Sequence, residues 1–224
     1  MKITWITQAG LLIETKDLTV MIDPYLSDSV GAVEGKHRRI PADEKLFDIT
    51  PDVMVFTHDH LDHYDPETAM RFLGKKEKGM VVLSPHSCWQ KARAFGAPHN
   101  YVRFQPGTEW TEKGVTFAAV PAEHSDPWAI GVVIWAEGKC LYVTGDTLYS
   151  RRVTKALPEQ IDAVFLPVNG VGNNMNMQDA ARFAKDIGAK QAVPLHYGLL
   201  DDLDPGDFAF ENKVILSAYV PAQF

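Results

Sequence analysis

Apolar residues in the first half of the chain recur in short runs rather than at helical spacing. KITWIT, GLLIET, LTVMIDP and DVMVFT are rich in β-branched and large aliphatic residues and bounded by Gly, Asp or Pro, which predicts strands. From about Leu26 to Phe47 the rhythm breaks, with Gly, Pro and the cluster Lys36-His37-Arg38-Arg39. A connection of that length inside a compact domain is usually functional or disordered. Asp65-Pro66-Glu67 then predicts a short helix, with Asp65 as N-cap, Pro66 at its first position and Gly74 at its end. MVVLS reads as a strand and His86 to Phe95 as a helix. VTFAAVPA, IGVVIWAE, CLYVTGD and AVFLPV read as further strands. MQDAARFAKDIG has the clearest helical signature, capped by Asn176, with Asp179 in its first turn and Gly188 as its stop. QAVPLH reads as the last core strand. Two blocks of strands, each followed by helix, predict an α/β protein with two packed sheets and helices outside. That is an αββα four-layer sandwich formed by a single domain over residues 1–224.

The polar residues that interrupt this pattern fall at strand ends. His58 follows DVMVFT, His124 follows VTFAAVPA, Asp146 follows CLYVTG and His196 follows QAVPL. Residues at one shared edge of a sheet can converge on one pocket.

Composition narrows the function. The 224 residues are 46% hydrophobic and 23% charged, as in an ordinary globular protein. A formal charge of -7 disfavours a general nucleic-acid binder, because phosphate backbones reward surplus Lys and Arg. No apolar run is long enough to span a membrane, and the N-terminus reads as strand rather than signal peptide, so a cytoplasmic location is expected. Cys88 and Cys140 lack the spacing of a disulfide framework or a thiolate metal site and read as buried thiols.

The chemistry is concentrated in Thr57-His58-Asp59-His60-Leu61-Asp62-His63, an H-x-H-x-D-H pattern directly after a buried strand. His58 and His60 can face one ion, while Asp62 and His63 can reach a second. An isolated histidine is ordinarily a surface or structural residue, and His37, His86 and His99 are read that way.

TxHxHxDH, a downstream His, an Asp in a GDT turn and a final His together resemble the metallo-β-lactamase superfamily, over nearly the whole chain. DPYLSD, THDHLDHYDPET and PVNG…NNMN…PLHYG are most similar to its bacterial ascorbate-6-phosphate lactonase group. The resemblance implies a centre of two divalent metal ions. His58, His60 and His124 would hold the first, Asp62, His63 and His196 the second, and Asp146 would bridge them, with Asp23 supporting the histidines from behind. Two divalent ions ~3.5 Å apart repel by roughly 19 kcal/mol at an effective dielectric of ~20, so the carboxylates are needed. An all-nitrogen-and-oxygen donor set suits Zn or Mn, and also Fe.

The implied activity is that of a metallo-hydrolase in which a metal-bridging hydroxide attacks a small anionic lactone or ester, with Asp62 or Asp146 relaying its proton. A phosphodiesterase is the alternative enzyme, and a non-catalytic metal-dependent binding protein the alternative class. The substrate is expected to touch Lys36, Arg38 and Arg39, whose charges suit an anionic group, and Tyr64 and Tyr197, which stand beside ligands. Trp128 is a further aromatic near the site, and Asn169, Asn173, Asn174 and Asn176 read mainly as turn and cap residues. The sequence leaves room for a homo-oligomer.

Overall fold

The computed structural model describes residues 1–224. The apolar runs of the first half become β1 (Lys2–Trp5), β2 (Leu11–Glu14) and β3 (Thr19–Ile22). Then come α1 (Ser29–Glu34), β4 (Val53–Val55), α2 (Pro66–Leu73), β5 (Val81–Ser84), α3 (His86–Ala92) and β6 (Asn100–Arg103). The second half holds β7 (Glu109–Glu112), β8 (Val115–Pro121), β9 (Ile130–Ala136), β10 (Lys139–Val143), α4 (Arg151–Thr154) and β11 (Ile161–Pro167). It finishes with α5 (Met177–Asp186), β12 (Ala189–Leu195) and β13 (Pro221–Gln223). One seven-stranded sheet runs β13-β1-β2-β3-β4-β5-β6, and a six-stranded sheet runs β12-β11-β10-β9-β8-β7.

Alternation along the central strands sorts residues into layers. Val20, Ile22, Val53, Val55 and Leu83 enter a core shared with the strands of the second sheet. Their neighbours Met21, Met54 and Val82 point the other way, against Phe72 and Leu73 of α2 and Cys88 and Ala92 of α3. Strands covered on both faces must be apolar throughout, which is why their sequences show no polar alternation. Two mixed sheets flanked by helices make the expected αββα sandwich.

Local signals act as the sequence predicts. The Asp65 side chain accepts from the Glu67 and Thr68 amides at the start of α2. Asn176 accepts from the Asp179 amide at the start of α5. Both cysteines are free and buried. The segment from Leu26 to Phe47 differs from the expected irregular loop, since it contains α1 and a 3-10 turn over Glu44–Asp48. The polar edge strands β6, β7 and β13 are additions, and β12 is the last core strand as expected. Their periodicity is weak because an edge strand is held by backbone pairing on one side and half exposed.

The topology brings the candidate residues to one edge. β3, β4 and β5 are parallel neighbours, as are β10, β11 and β12. The carboxyl ends of parallel strands form one rim, where open α/β sheets place their sites. Asp23 and His58 leave the first sheet at that rim, and Asp146, Asn169 and His196 leave the second. The approach of the two sheets depends on Gly145, which has φ 58°; a Cβ there would lie 2.8 Å from Thr57 Cβ and 2.9 Å from the Ile130 carbonyl oxygen.

Candidate metal centre

Beyond β4 the chain is fixed by a carboxylate from the neighbouring strand. Asp23 Oδ1 accepts from the Thr57 amide at 2.8 Å, and Oδ2 accepts from Thr57 Oγ1 at 2.5 Å. Oδ2 also accepts from His63 Nδ1 at 2.8 Å, and Thr57 Oγ1 lies 3.1 Å from His58 Nδ1. One buried aspartate thus orients both imidazoles, directly for His63 and through Thr57 for His58, so that each Nε2 faces the interior of the site. Fixing one ring nitrogen in this way frees the other as a lone-pair donor.

The donor atoms gather in two groups able to hold a metal ion, His58 with His60 and His124, and Asp62 with His63 and His196; within each they lie within 4.8 Å of one another. His124 Nε2 is 3.1 Å from His60 Nδ1, and His124 Nδ1 faces the Asn173 carbonyl oxygen at 3.3 Å. His196 Nε2 is 3.1 Å from Asp62 Oδ2. Asp146 stands between the groups: Oδ2 is 3.9 Å from His58 Nε2 and 3.3 Å from His196 Nε2, and Oδ1 is 3.2 Å from His63 Nε2. Asp23, His58 and His63 form a third such group. Both Asp23 oxygens are already engaged by Thr57 and His63, so it stands behind the histidines.

Electrostatics separates the histidines. Burial pushes His58 well below the ordinary histidine range, and the neighbouring His63 adds to the effect. His124 is lowered too, again mainly by burial. Burial also opposes charge on His63, but Asp146, Asp62 and Asp23 outweigh it and hold that ring well above its usual value. For His196 the same contest, with Asp146 and Asp62 prevailing over burial, raises the pKa to about 10. Burial would raise Asp146, yet His196 and His63 hold it well below the carboxylate range. Asp62 is lowered for the same reason. Two neutral imidazoles therefore stand beside two imidazolium–carboxylate contacts.

A metal fits this arrangement on a structural ground. His58 Nε2, His63 Nε2 and Asp146 Oδ1 are buried without a well-formed hydrogen bond, although His63 Nε2 faces Asp146 Oδ1 at 3.2 Å and His58 Nε2 faces Asp146 Oδ2 at 3.9 Å. Leaving such atoms unpaired costs about 1–3 kcal/mol each, more when charged. An ion in each group would satisfy them, with His58 in the first, His63 in the second and Asp146 between.

Sequence reasoning passed over Gln8 and read Asn169 and Asn174 mainly as turn residues, yet all three amides reach the site. Gln8 Nε2 donates to Asp62 Oδ2 at 2.8 Å and lies 3.2 Å from His196 Nδ1. Asn174 Nδ2 donates to Asp146 Oδ2 at 2.8 Å, and Asn169 Nδ2 is 3.0 Å from His196 Nδ1. The sequence gives Gln8 no signal beyond a polar residue between a strand and Gly10, and the asparagines look like turn formers. Gln8, Asp23 and His196 also adopt left-handed backbone, with φ of 50°, 42° and 60°. Strain of this kind clusters where a site constrains the chain.

The expected substrate contacts need correction. Arg38 points inward: Nε donates to the Ile40 carbonyl at 2.8 Å, Nη1 to those of Tyr25 and Ser27 at 3.1 and 2.8 Å, and Nη2 to Thr7 Oγ1 at 3.0 Å. Its guanidinium organises the loop and is not offered to a ligand. Arg39 pairs with the Asp202 carboxylate and donates to the Asp201 carbonyl. Only Lys36 lines the cleft above the site, and it pairs with Glu34 at 3.4 Å. Tyr64 is buried against Phe56, and Tyr197 is buried against Trp5, so neither lines the cleft. Trp128 packs on His86. His37 pairs with Asp28, and His99 bonds the Leu73 carbonyl.

The sequence profile of the Beta-lactamase superfamily domain matches residues 19–197. The chain is similar to a UPF0173 metal-dependent hydrolase of Geobacillus sp. (strain WCH70), 30% identical over 93% of this chain and 91% of that protein. Its fold is similar to that of Igni18, a metallo hydrolase of the archaeon Ignicoccus hospitalis, with a TM-score of 0.76, 21% identity and coverage of 100% of this chain and 98% of that one. The metallo-β-lactamase fold protein YhfI of Bacillus subtilis gives a TM-score of 0.75 at 17% identity, covering 99% and 98% of the two chains. Identities at that level establish the fold alone.

Proposed function

The chain belongs to the metallo-β-lactamase superfamily as a metal-dependent hydrolase, and from that premise we propose that it cleaves a small lactone or ester at a two-metal centre. His58, His60 and His124 would hold one ion, Asp62, His63 and His196 the other, with Asp146 reaching both. The observation that carries this reading is the position of Asp146, whose two oxygens lie 3.2–3.9 Å from histidines of both groups. The donors are nitrogen and oxygen only, which suits zinc or manganese, with iron also accommodated.

Divalent ions bound there would lower the pKa of a water molecule towards ~7 and polarise an ester carbonyl. The chain's own groups do the rest. Asp62 and Asp146 are both held ionised by His63 and His196, and once those rings have lost their protons to bound metal either carboxylate would offer an acceptor oxygen for a proton of water. Asp62 is the more open of the two, its side chain 18% exposed against 6% for Asp146, so it is placed to pass that proton to the leaving alkoxide. The Gln8 amide holds Asp62 Oδ2, and the Asn174 amide holds Asp146 Oδ2, fixing both carboxylates against rotation.

The test is to purify the protein, measure its metal content and assay a panel of γ-lactones and alkyl esters with and without chelator. Turnover that chelation abolishes and metal restores is the expected result. A metal-loaded protein inert across the whole panel would sink the lactone or ester reading.

A further inference from the structure

Above the candidate metal centre lies a cleft of about 700 Å³, within the range of small-molecule sites. Its walls are unlike those expected for an anionic substrate. Besides the histidines, Lys36 is the only cationic residue lining it, and Glu34 accompanies it in the same wall at 3.4 Å. Asp59, also on the wall, is neutralised by Lys91 at 2.7 Å. Asp201 remains, its Oδ1 accepting only the Gly198 and Leu203 amides. Outside the metal-ligand carboxylates the lining therefore carries a net negative charge. Recognition of a phosphate or carboxylate relies on Arg or Lys presented towards it, and the two arginines of the nearby loop are turned elsewhere.

Four aliphatic side chains line the same cleft, beside the amides of Gln8, Asn169 and Asn174. Val30, Leu61 and Leu200 belong to one small cluster built on Tyr25 and Leu199, and all three line the cleft. Val171, 63% exposed on the loop between β11 and α5, adds a fourth aliphatic side chain. An exposed valine beside an ionic centre is otherwise unfavourably solvated, whereas a substrate chain laid against Val171, Leu61 and Leu200, with the buried Val30 behind them, would remove that surface from water.

We propose that this cleft selects an uncharged substrate carrying a short aliphatic group, seated on Val30, Leu61, Val171 and Leu200, and discriminates against an anionic group at the same distance from the reacting bond. The inference rests on the lactone or ester reading for the identity of the reacting bond, but the cleft's preference for uncharged ligands is measurable without turnover.

Two γ-lactams serve as probes, one bearing a butyl side chain and the other the same chain ending in a carboxylate. Calorimetry on the metal-loaded protein should show the butyl lactam binding at least about tenfold more tightly, because the carboxylate must give up water against aliphatic side chains and Asp201 with no cation to replace it. Val171→Lys, at an exposed position, should shift the ratio towards the carboxylate by about tenfold with metal content unchanged. Equal binding, tighter binding of the carboxylate, or no binding of either lactam at millimolar concentration would overturn the inference. The matching lactones separate the two claims. If the lactam preference holds but neither lactone is hydrolysed, the hydrolytic reading falls and the cleft inference stands. If both lactones are hydrolysed with equal kcat/KM, the hydrolytic reading stands and the cleft inference falls.

Discussion

Asn169 Nδ2 lies 3.0 Å from His196 Nδ1, while Oδ1 of the same amide is buried without a partner. An imidazole that gives its Nε2 lone pair to a metal keeps its proton on Nδ1 and needs an acceptor there. Loading the site therefore calls for the amide to present Oδ1 to His196. Asn169→Asp, which keeps an acceptor oxygen, should retain metal affinity, whereas Asn169→Leu should lose about 10–100-fold. Nitrogen NMR of the metal-loaded protein should show His196 protonated on Nδ1 in the first variant. Equal losses in the two variants would show that Asn169 serves only packing.

Metal binding must displace protons. His63 and His196 are held above their ordinary pKa by Asp146 and Asp62, His196 to about 10, so both are charged at neutral pH before an ion arrives. Affinity should rise with pH until His196 titrates, and loading at pH 7 should release about two protons per chain. Calorimetry in buffers of different ionisation enthalpy measures that number. A release of zero would contradict the charge assignment.

Stability of the metal-free protein runs the other way. The contribution from the raised His196 is complete below its ordinary value of 6.5 and is lost as pH climbs through about 10. Asp146 and Asp62, held low, contribute above the ordinary carboxylate value of 3.8 and lose that contribution as pH falls below it. Chemical denaturation of the stripped protein should find greatest stability between these limits, with the alkaline decline reduced in His196→Gln.

Asp146 and Asp59 should respond differently to the same substitution. Asp59 turns away from the centre to Lys91, and its amide donates to Asp126 Oδ2 at 3.2 Å. Asp146→Ala should lose at least one bound ion, and Asp59→Ala should keep its full metal content, as elemental analysis would show. Matching losses would remove Asp146 from its place between the two groups.

Arg38 makes a structural prediction where the sequence invited a functional one. Removing its guanidinium strands the Tyr25, Ser27 and Ile40 carbonyls, so Arg38→Ala should cost about 3 kcal/mol and lower Tm by roughly 6 °C or more. Arg39→Ala, at an exposed pair, should stay within about 0.5 kcal/mol. Thermal melts that rank the two the other way would return Arg38 to the ligand.

The residues legible from pattern alone were those whose chemistry is local, whereas His124, Asp146 and His196 stood out only by ending strands and by the family resemblance. H-x-H-x-D-H after a buried strand places His58, His60, Asp62 and His63 within a few residues of one another, and Asp65 and Asn176 cap helices through atoms two or three residues away. The layer pattern was legible for a similar reason. A strand buried on both faces reads as a continuous apolar run, and the two blocks of such runs specify two sheets.

Contacts that depend on two distant segments meeting were decided only by the tertiary structure. Gln8 and Asp62 are 54 residues apart, and nothing in TQAG announces an amide held against a carboxylate. The direction of Arg38 depends on the Tyr25 and Ser27 carbonyls turning towards it, because an arginine follows whichever acceptors the fold leaves unpaired. The sequence by itself determined which side chains could hold a metal and which strands they follow; that those strand ends share one rim was decided by the parallel pairing within each sheet and the packing of the two sheets. Packing of the two sheets, with Gly145 against Thr57, decided which amides and aliphatic walls surround them, since side-chain partners across a fold are set by geometry that no local pattern encodes.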